Sequence, residues 1–330
     1  MIDPKRWHDS LRFDPLPTLL GSNDEALAYF ARRDLLGEPV PPVETLWELP
    51  EAARLARKQQ PDGAWKYPGK TIDPETGENY FLIETYRNLR LLVERYGFTR
   101  AHPAIQRASD YVFSCQTAEG DIRSILGNQY MPYYHGAILE LLIKAGYADD
   151  PRVLAGLEWL LTVRQDDGGW MVPGQQVPSW VKTRSFWKGE TILPDRSLPH
   201  AHLATGMVLR AFAAHPAYRR RSEVIAAGVC LKKRIFQVDK YYDRKAASYW
   251  LKFQYPFWWA NLVTALDTLI KLDFTKGEAE IARGLDWFLT NQEPDGLWPT
   301  GYGSGKFADR NRRWVGLAIC RIIKAMASQS

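Results

Sequence analysis

QPDGAW (residues 60–65), QDDGGW (165–170) and QEPDGLW (292–298) are three renderings of one phrase built from glutamine, acid, glycine and tryptophan. A phrase that returns along a chain marks an internal repeat, and a repeat constrains architecture more than any single residue does. The register extends upstream. Gly156 stands eleven residues before Asp167 and Gly284 eleven before Asp295, followed by Leu157, Glu158, Trp159 and by Leu285, Asp286, Trp287. Counting back equally from Glu119 gives Ala108, then Ser109, Asp110 and Tyr111, and a worn copy spans residues 228–239. The anchors Asp62, Glu119, Asp167, Asp239 and Asp295 lie 57, 48, 72 and 56 residues apart, the length of a helical hairpin plus a variable loop.

Each anchor is followed by an apolar run of period 3.6, at residues 81–96, 134–145, 202–214, 257–272 and 314–326, and preceded by a more charged one. This pattern predicts hairpins of a charged outer helix and an apolar inner helix. Candidate helices at 24–35 and 43–58 bring the hairpins to about six. No stretch alternates with period two for long enough to make a sheet. Residues 1–330 therefore read as one all-α domain, an (α/α)6 toroid in which each hairpin buries its apolar side against its neighbours.

Composition narrows the function classes. A net charge of +5 without a lysine-rich tail argues against nucleic acid as a partner. No run approaches the roughly 20 apolar residues of a membrane span, and the opening residues lack the apolar stretch of a signal peptide. The expected location is the cytoplasm, with a membrane surface left open as a partner. Cys115, Cys230 and Cys320, all in predicted helices, read as small buried hydrophobes in a reducing compartment.

Over residues 43–326 the Gln, Asp-Gly, Trp turns resemble the QW repeats of squalene and oxidosqualene cyclases, and less closely the repeats of protein prenyltransferase β-subunits. The resemblance implies the (α/α)6 barrel of the terpenoid cyclase and prenyltransferase superfamily, here as a single toroid, and an isoprenoid or lipid-like small-molecule ligand. It also implies two chemistries whose motifs this chain does not carry. No DxDD occurs, and where the prenyltransferases place a zinc-binding Asp and Cys this chain reads FQYPFWW (residues 253–259). The YYHGA string at residues 133–137 matches the histidine-bearing helix of those enzymes at one ligand of three.

The repeated turn acids read as structural. A carboxylate there accepts backbone N–H groups of the turn, glycine supplies a positive φ, and tryptophan seals the hairpin. Chemistry is expected instead where the inner helices begin, since helix N-termini carry unsatisfied N–H groups and partial positive charge. Near those starts stand Tyr80 and Glu84; Tyr133, Tyr134 and His135; His200 and His202; Tyr255, Phe257, Trp258 and Trp259; and Arg310, Arg312 and Arg313. Glu84, among Phe81, Leu82 and Ile83, is the candidate proton donor, raised in pKa by desolvation, and the competing reading pairs it with Arg87 or Arg90. His135 and His202 are the other catalytic candidates. No cofactor is demanded; should a divalent metal be held, His135, His200 and His202 are its ligands. Tyr134, Trp258 and Trp259 suit a carbocation or an apolar chain through their ring faces.

The long connection at residues 171–199 exceeds the usual loop length and carries Trp180, Phe186 and Trp187 beside Lys182, Arg184 and Lys188, so it reads as a lid. Arg244 and Tyr249 in the next connection extend the same basic and aromatic mixture, fit for a diphosphate or another anion with a flat or apolar body. Three functions follow. One is a terpenoid cyclase-like enzyme acting on an isoprenoid or isoprenoid diphosphate with an unorthodox acid or metal. A second is a polysaccharide lyase- or glycosidase-like toroid, with Tyr134, His135 and Arg244 acting on an anionic glycan. The third is a non-catalytic isoprenoid or lipid binder.

Overall fold

The computed structural model describes residues 4–69, 78–123, 125, 127–176, 184–240, 244–303 and 305–328. In chain order its α-helices are α1 (Leu16–Leu20), α2 (Glu25–Phe30), α3 (Pro50–Arg57), α4 (Tyr80–Tyr96), α5 (Pro103–Ser114), α6 (Pro132–Leu142), α7 (Pro151–Thr162), α8 (Arg184–Lys188), α9 (His202–Ala214), α10 (Ser222–Lys233), α11 (Leu262–Lys271), α12 (Ala279–Thr290) and α13 (Lys306–Ala327). Among the described residues the only β-type pairings are the isolated bridges Gln59–Trp65 and Gln116–Ile122, each closing a turn. The fold class is all-α, as the periodicity requires.

Helix boundaries follow local chemistry. Asn79 accepts the N–H of Leu82 to open α4, Asp150 accepts that of Arg152 to open α7 ahead of Pro151, and Asn261 with Thr264 forms a reciprocal cap on α11. Gly97 ends α4 in the left-handed conformation at φ 61. The expected helix at 43–58 is broken: residues 43–48 form a 3-10 turn and α3 begins at Pro50, which cannot lie inside a helix.

The chain forms two compact units, one of residues 43–230 and 239–243, the other of residues 1–42, 231–238 and 244–330. In the first, α3 packs on α4, α4 on α5 and α6, α6 on α7 and α9. Inner helices α6 and α9 run close enough that a Cβ on Gly136 would lie 2.8 Å from the Val208 Cα. In the second, α13 packs with α1, α2 and α11, and α11 with α12. Trp314 is its centre, fully buried, with its Nε1–H donated to Asp24 and its ring stacked on Tyr255 at 4.9 Å.

The repeated turns share one hydrogen-bonding plan. Trp65, Trp170 and Trp298 each donate Nε1–H to the carbonyl ten residues earlier, on Leu55, Leu160 and Phe288, at 2.8, 2.6 and 2.6 Å. Asp62, Asp167 and Asp295 each accept the backbone N–H two residues on. Gln59, Gln116 and Gln292 donate Nε2–H to the carbonyl of the turn glycine four residues later, and also to the carbonyls of Ala104, Arg152 and Phe13 respectively. Ala104 and Arg152 lie at the first turns of α5 and α7. Each hairpin is thereby stitched to the segment that follows it in space.

Two details depart from the sequence phrase. The stitching residue in the first turn is Gln59, whereas the phrase began at Gln60. In the third turn the same slot holds Arg164, which donates to the carbonyl of Glu223 at the start of α10. The turn glycines must be glycines for two reasons. Gly63 has φ 92, and a Cβ there would fall 2.1 Å from the Arg107 carbonyl oxygen; at Gly296, φ 82, it would fall 2.5 Å from that of Asp14.

Candidate functional site

In the first unit the starts of α4 and α6 bring tyrosines together. Tyr133 and Tyr134 lie 4.4 Å apart between ring centroids, and Tyr86, one helix over, meets Tyr134 edge-on at 6.2 Å. Tyr67 and Tyr80 pair at 4.9 Å, with the Arg87 guanidinium 5.8 Å over Tyr67. Tyr134 and Tyr80 are half-buried, while Tyr86 is fully buried and its hydroxyl pKa is raised by that burial. Glu84 sits beside this group and adopts the competing reading: it accepts from Arg87 at 3.2 Å and from the Asn88 side chain at 3.1 Å.

The second unit holds the other predicted aromatic group. Arg244 lies 5.4 Å over Tyr249 and 5.1 Å over Trp259, Lys252 lies 4.4 Å over Tyr249, and Trp258 and Trp259 are 6.0 Å apart. Cations over ring faces at these distances are attracted by the ring quadrupole. This unit also carries a cavity of about 510 Å³ lined by Glu293, Thr300, Tyr302, Asp309 and Arg312 among others, ahead of α13. Arg312 there is already bonded to Glu293 and Asp295.

The three histidines are held separately. Among the described residues no group of three His, Cys, Asp or Glu side chains is arranged to hold a metal ion. His135 is buried; its Nδ1 accepts the Ile122 N–H at 3.0 Å and its Nε2–H is donated to the Gly156 carbonyl at 3.1 Å. Burial pushes its pKa down to about 4. His200 Nδ1 lies 2.8 Å from Asp167, whose other oxygen holds its own turn. Burial opposes ionisation of Asp167, but the His200 N–H groups outweigh it and hold the carboxyl below the usual range. His202 faces Asp239 at 3.4 Å, and Asp239 accepts the Leu203 N–H at the start of α9.

The described part of the long connection is pinned down. Buried Gln129 donates to the carbonyls of Phe186 and Glu190 and accepts the Ile192 N–H; Asn128 donates to the Gly189 carbonyl. Phe186 and Trp187 meet edge-on at 5.0 Å and are half-buried. Trp180 and Lys182 lie outside the described residues.

Sequence reasoning missed a charged layer in the first unit. Arg210 of α9 pairs with Glu140 of α6 at 2.7 Å, and Lys144 bonds Glu140 at 2.6 Å and Glu94 of α4 at 2.7 Å. Glu140 and Arg210 are buried, at 4% and 7% exposure. Burial disfavours the Arg210 charge, yet Glu140 beside it raises its pKa on balance; Lys144 is raised likewise by Glu140 and Glu94. The signal was available: Glu140 is a lone carboxylate among Leu139, Leu141 and Leu142, four residues before Lys144.

Comparison with known proteins gives relatives of the group that the turns resemble. A squalene–hopene cyclase of Zymomonas mobilis is 23% identical over 223 residues, covering 60% of this chain and 30% of its own length. A probable squalene–hopene cyclase of Sinorhizobium fredii is 28% identical over 153 residues, covering 46% of this chain and 22% of its own. The chain thus spans under a third of the length of these relatives. Among solved structures, a variant of the type II terpene cyclase MstE from Scytonema, in complex with geranylgeranyl dihydroxybenzoate, is similar with a TM-score of 0.44 and 14% identity over 96% of this chain and 99% of that one. A protein from Actinoplanes gives a TM-score of 0.43 and 16% identity over 92% and 90%. No family model matches the chain.

Proposed function

We propose that the hairpins close into one ring and that the chain is a terpenoid cyclase-like protein taking an isoprenoid or isoprenoid diphosphate against the aromatic starts of its inner helices. One observation carries this reading: the Tyr86, Tyr133 and Tyr134 cluster at the beginnings of α4 and α6, in a chain similar to squalene–hopene cyclases. Ring faces pack an apolar chain and stabilise a developing cation. Helix beginnings and Arg87 favour an anionic head group beside them. The same reading places the protein in the cytoplasm, drawing an apolar substrate from a membrane surface; among the described residues no helix is long and apolar enough to cross one.

In the catalytic form of this reading Glu84 is the acid. A second form, an isoprenoid binder without turnover, is favoured by the bonds that Glu84 makes to Arg87 and Asn88, because a carboxylate already accepting from a guanidinium and an amide is poorly placed to hand on a proton. The test is mass spectrometry of small molecules extracted from the purified chain, followed by incubation with squalene and with geranylgeranyl compounds. Extraction of an isoprenoid supports the binding reading, and cyclised product lost in Glu84→Gln supports the enzyme. Recovery of an acidic glycan instead, with no isoprenoid bound at any concentration tried, sinks both.

A further inference from the structure

We infer that the cavity ahead of α13 is an anion site of the second unit, suited to the phosphate or diphosphate end of a small molecule. This goes beyond the isoprenoid reading, which seats its ligand on the tyrosines of the first unit, and it stands or falls separately.

Thr300 carries the inference. It lines the cavity, is 5% exposed and gives its carbonyl to the Phe253 N–H, yet among the described residues its hydroxyl bonds nothing. A buried hydroxyl without a partner is costly, and the little surface Thr300 keeps faces the cavity, so a ligand there would supply the bond that the chain does not. The beginning of α13 meets the same space through Gly305 and Ala308. Gly305 brings no capping side chain, and among the described residues nothing accepts the N–H of Lys306, Phe307 or Ala308. A 22-residue helix thus opens on the cavity with free donors and the positive end of its dipole. Gly303 and Gly305, at φ 53 and 86, leave open space where a side chain would stand, so a ligand can come against the backbone itself.

The unpaired charges decide the sign of the ligand. Both carboxylates of the lining are already answered, Glu293 by Arg312 and Asp309 by Arg313, so a cation would have to break an ion pair to be held. Lys306, in the first turn of α13, and Lys252, whose Cγ lies 3.4 Å from where a Cβ on Gly301 would stand, have no carboxylate partner among the described residues. Backbone N–H groups, a hydroxyl and ammoniums are the donors that phosphate oxygens accept from. Tyr302, half-buried in the lining, gives the remainder of the molecule a ring to lie on.

The experiment titrates inorganic pyrophosphate into the whole chain by isothermal calorimetry at physiological ionic strength, in the wild type, Thr300→Val, Thr300→Ser and Lys306→Glu. Saturable binding of one pyrophosphate per chain is expected in the wild type. Thr300→Val keeps the shape and removes the hydroxyl, and should weaken binding roughly tenfold; Thr300→Ser should restore it. Lys306→Glu sets a carboxylate beside the free N–H groups and should abolish binding. No saturable binding by the wild type overturns the site. Unchanged affinity in a folded Thr300→Val also overturns it, since surface lysines alone would then account for the binding. Should Thr300→Val fail to fold by circular dichroism, the exposed Lys306→Glu decides, and affinity retained there counts against the site. Neither result bears on whether the first unit binds an isoprenoid.

Discussion

His135 and Thr205 do the same work in successive hairpins. Thr205 Oγ1 accepts the N–H of Trp170 at 2.9 Å, and His135 Nδ1 accepts that of Ile122 at 3.0 Å. Thr85 does so for Trp65 in the first hairpin, at 3.1 Å. An imidazole occupying a threonine's place on an inner helix is a titratable version of a structural bond. It also reaches Gly156, where a Cβ would fall 2.9 Å from the imidazole Cε1.

Stability should therefore fall on mild acidification. The folded pKa of His135, about 4, lies below the unfolded value near 6.5, so the unfolded chain binds the proton first. Its contribution is unaffected above about pH 6.5, erodes as pH falls toward 4, and levels off below that, a total loss of roughly 3 kcal/mol. Urea denaturation of the wild type and of His135→Thr between pH 7 and 4 checks this; the variant should show a shallower slope through that window.

Alanine at the turn glycines should separate two costs. Gly63→Ala and Gly296→Ala meet both a positive φ and a neighbouring carbonyl, whereas at Gly303, φ 53, nothing lies within 4 Å of where the added methyl would stand. Gly303→Ala should cost about 1 kcal/mol from backbone conformation alone, and the other two at least about 3 kcal/mol. Equal losses in equilibrium unfolding at all three positions would contradict the close approach.

Breaking the buried pair from one side should be worse than removing it. Glu140→Leu leaves Arg210 and Lys144 facing each other and is expected to cost about 3–5 kcal/mol, as is Arg210→Met. Glu140→Leu/Arg210→Met should cost clearly less than the sum of the two. A double-mutant cycle by chemical denaturation measures the coupling, and strict additivity would show that the two side chains do not interact.

Each turn tryptophan should act through its indole N–H as well as its bulk. Trp170→Phe keeps most of the ring but strands the Leu160 carbonyl at the end of α7, and a loss of about 1–3 kcal/mol is expected. Hydrogen exchange should then rise first in the last turn of α7. Uniform loss of protection across the unit, with no local effect there, would count against the proposed bond.

The repeat was legible because its logic is local. Asp62, Asp167 and Asp295 bond the N–H two residues on, so their spacing to glycine and tryptophan survives in the sequence, and the pairing of Glu84 with Arg87 is a local contact three residues apart on one helix. What stayed hidden depends on partners far along the chain. Nothing local distinguishes Gln59 from Gln60; the carbonyl of Ala104 does. The equivalence of His135 with Thr85 is obscured because the turn-to-helix distance varies from one hairpin to the next. Glu140, Lys144 and Arg210 lay in runs read as apolar, and only the packing of α6 against α9 turns isolated charges into a layer.

The bond from Gln292 to the Phe13 carbonyl carries a consequence for biosynthesis. The turns at Gln59, Gln116 and Arg164 each need an acceptor made after them, so on the ribosome each is incomplete until more chain emerges. Gln292 instead meets an acceptor translated nearly three hundred residues earlier. The Phe13 carbonyl must wait for a partner synthesised 279 residues after it, and that wait is the interval in which a chaperone has most to protect.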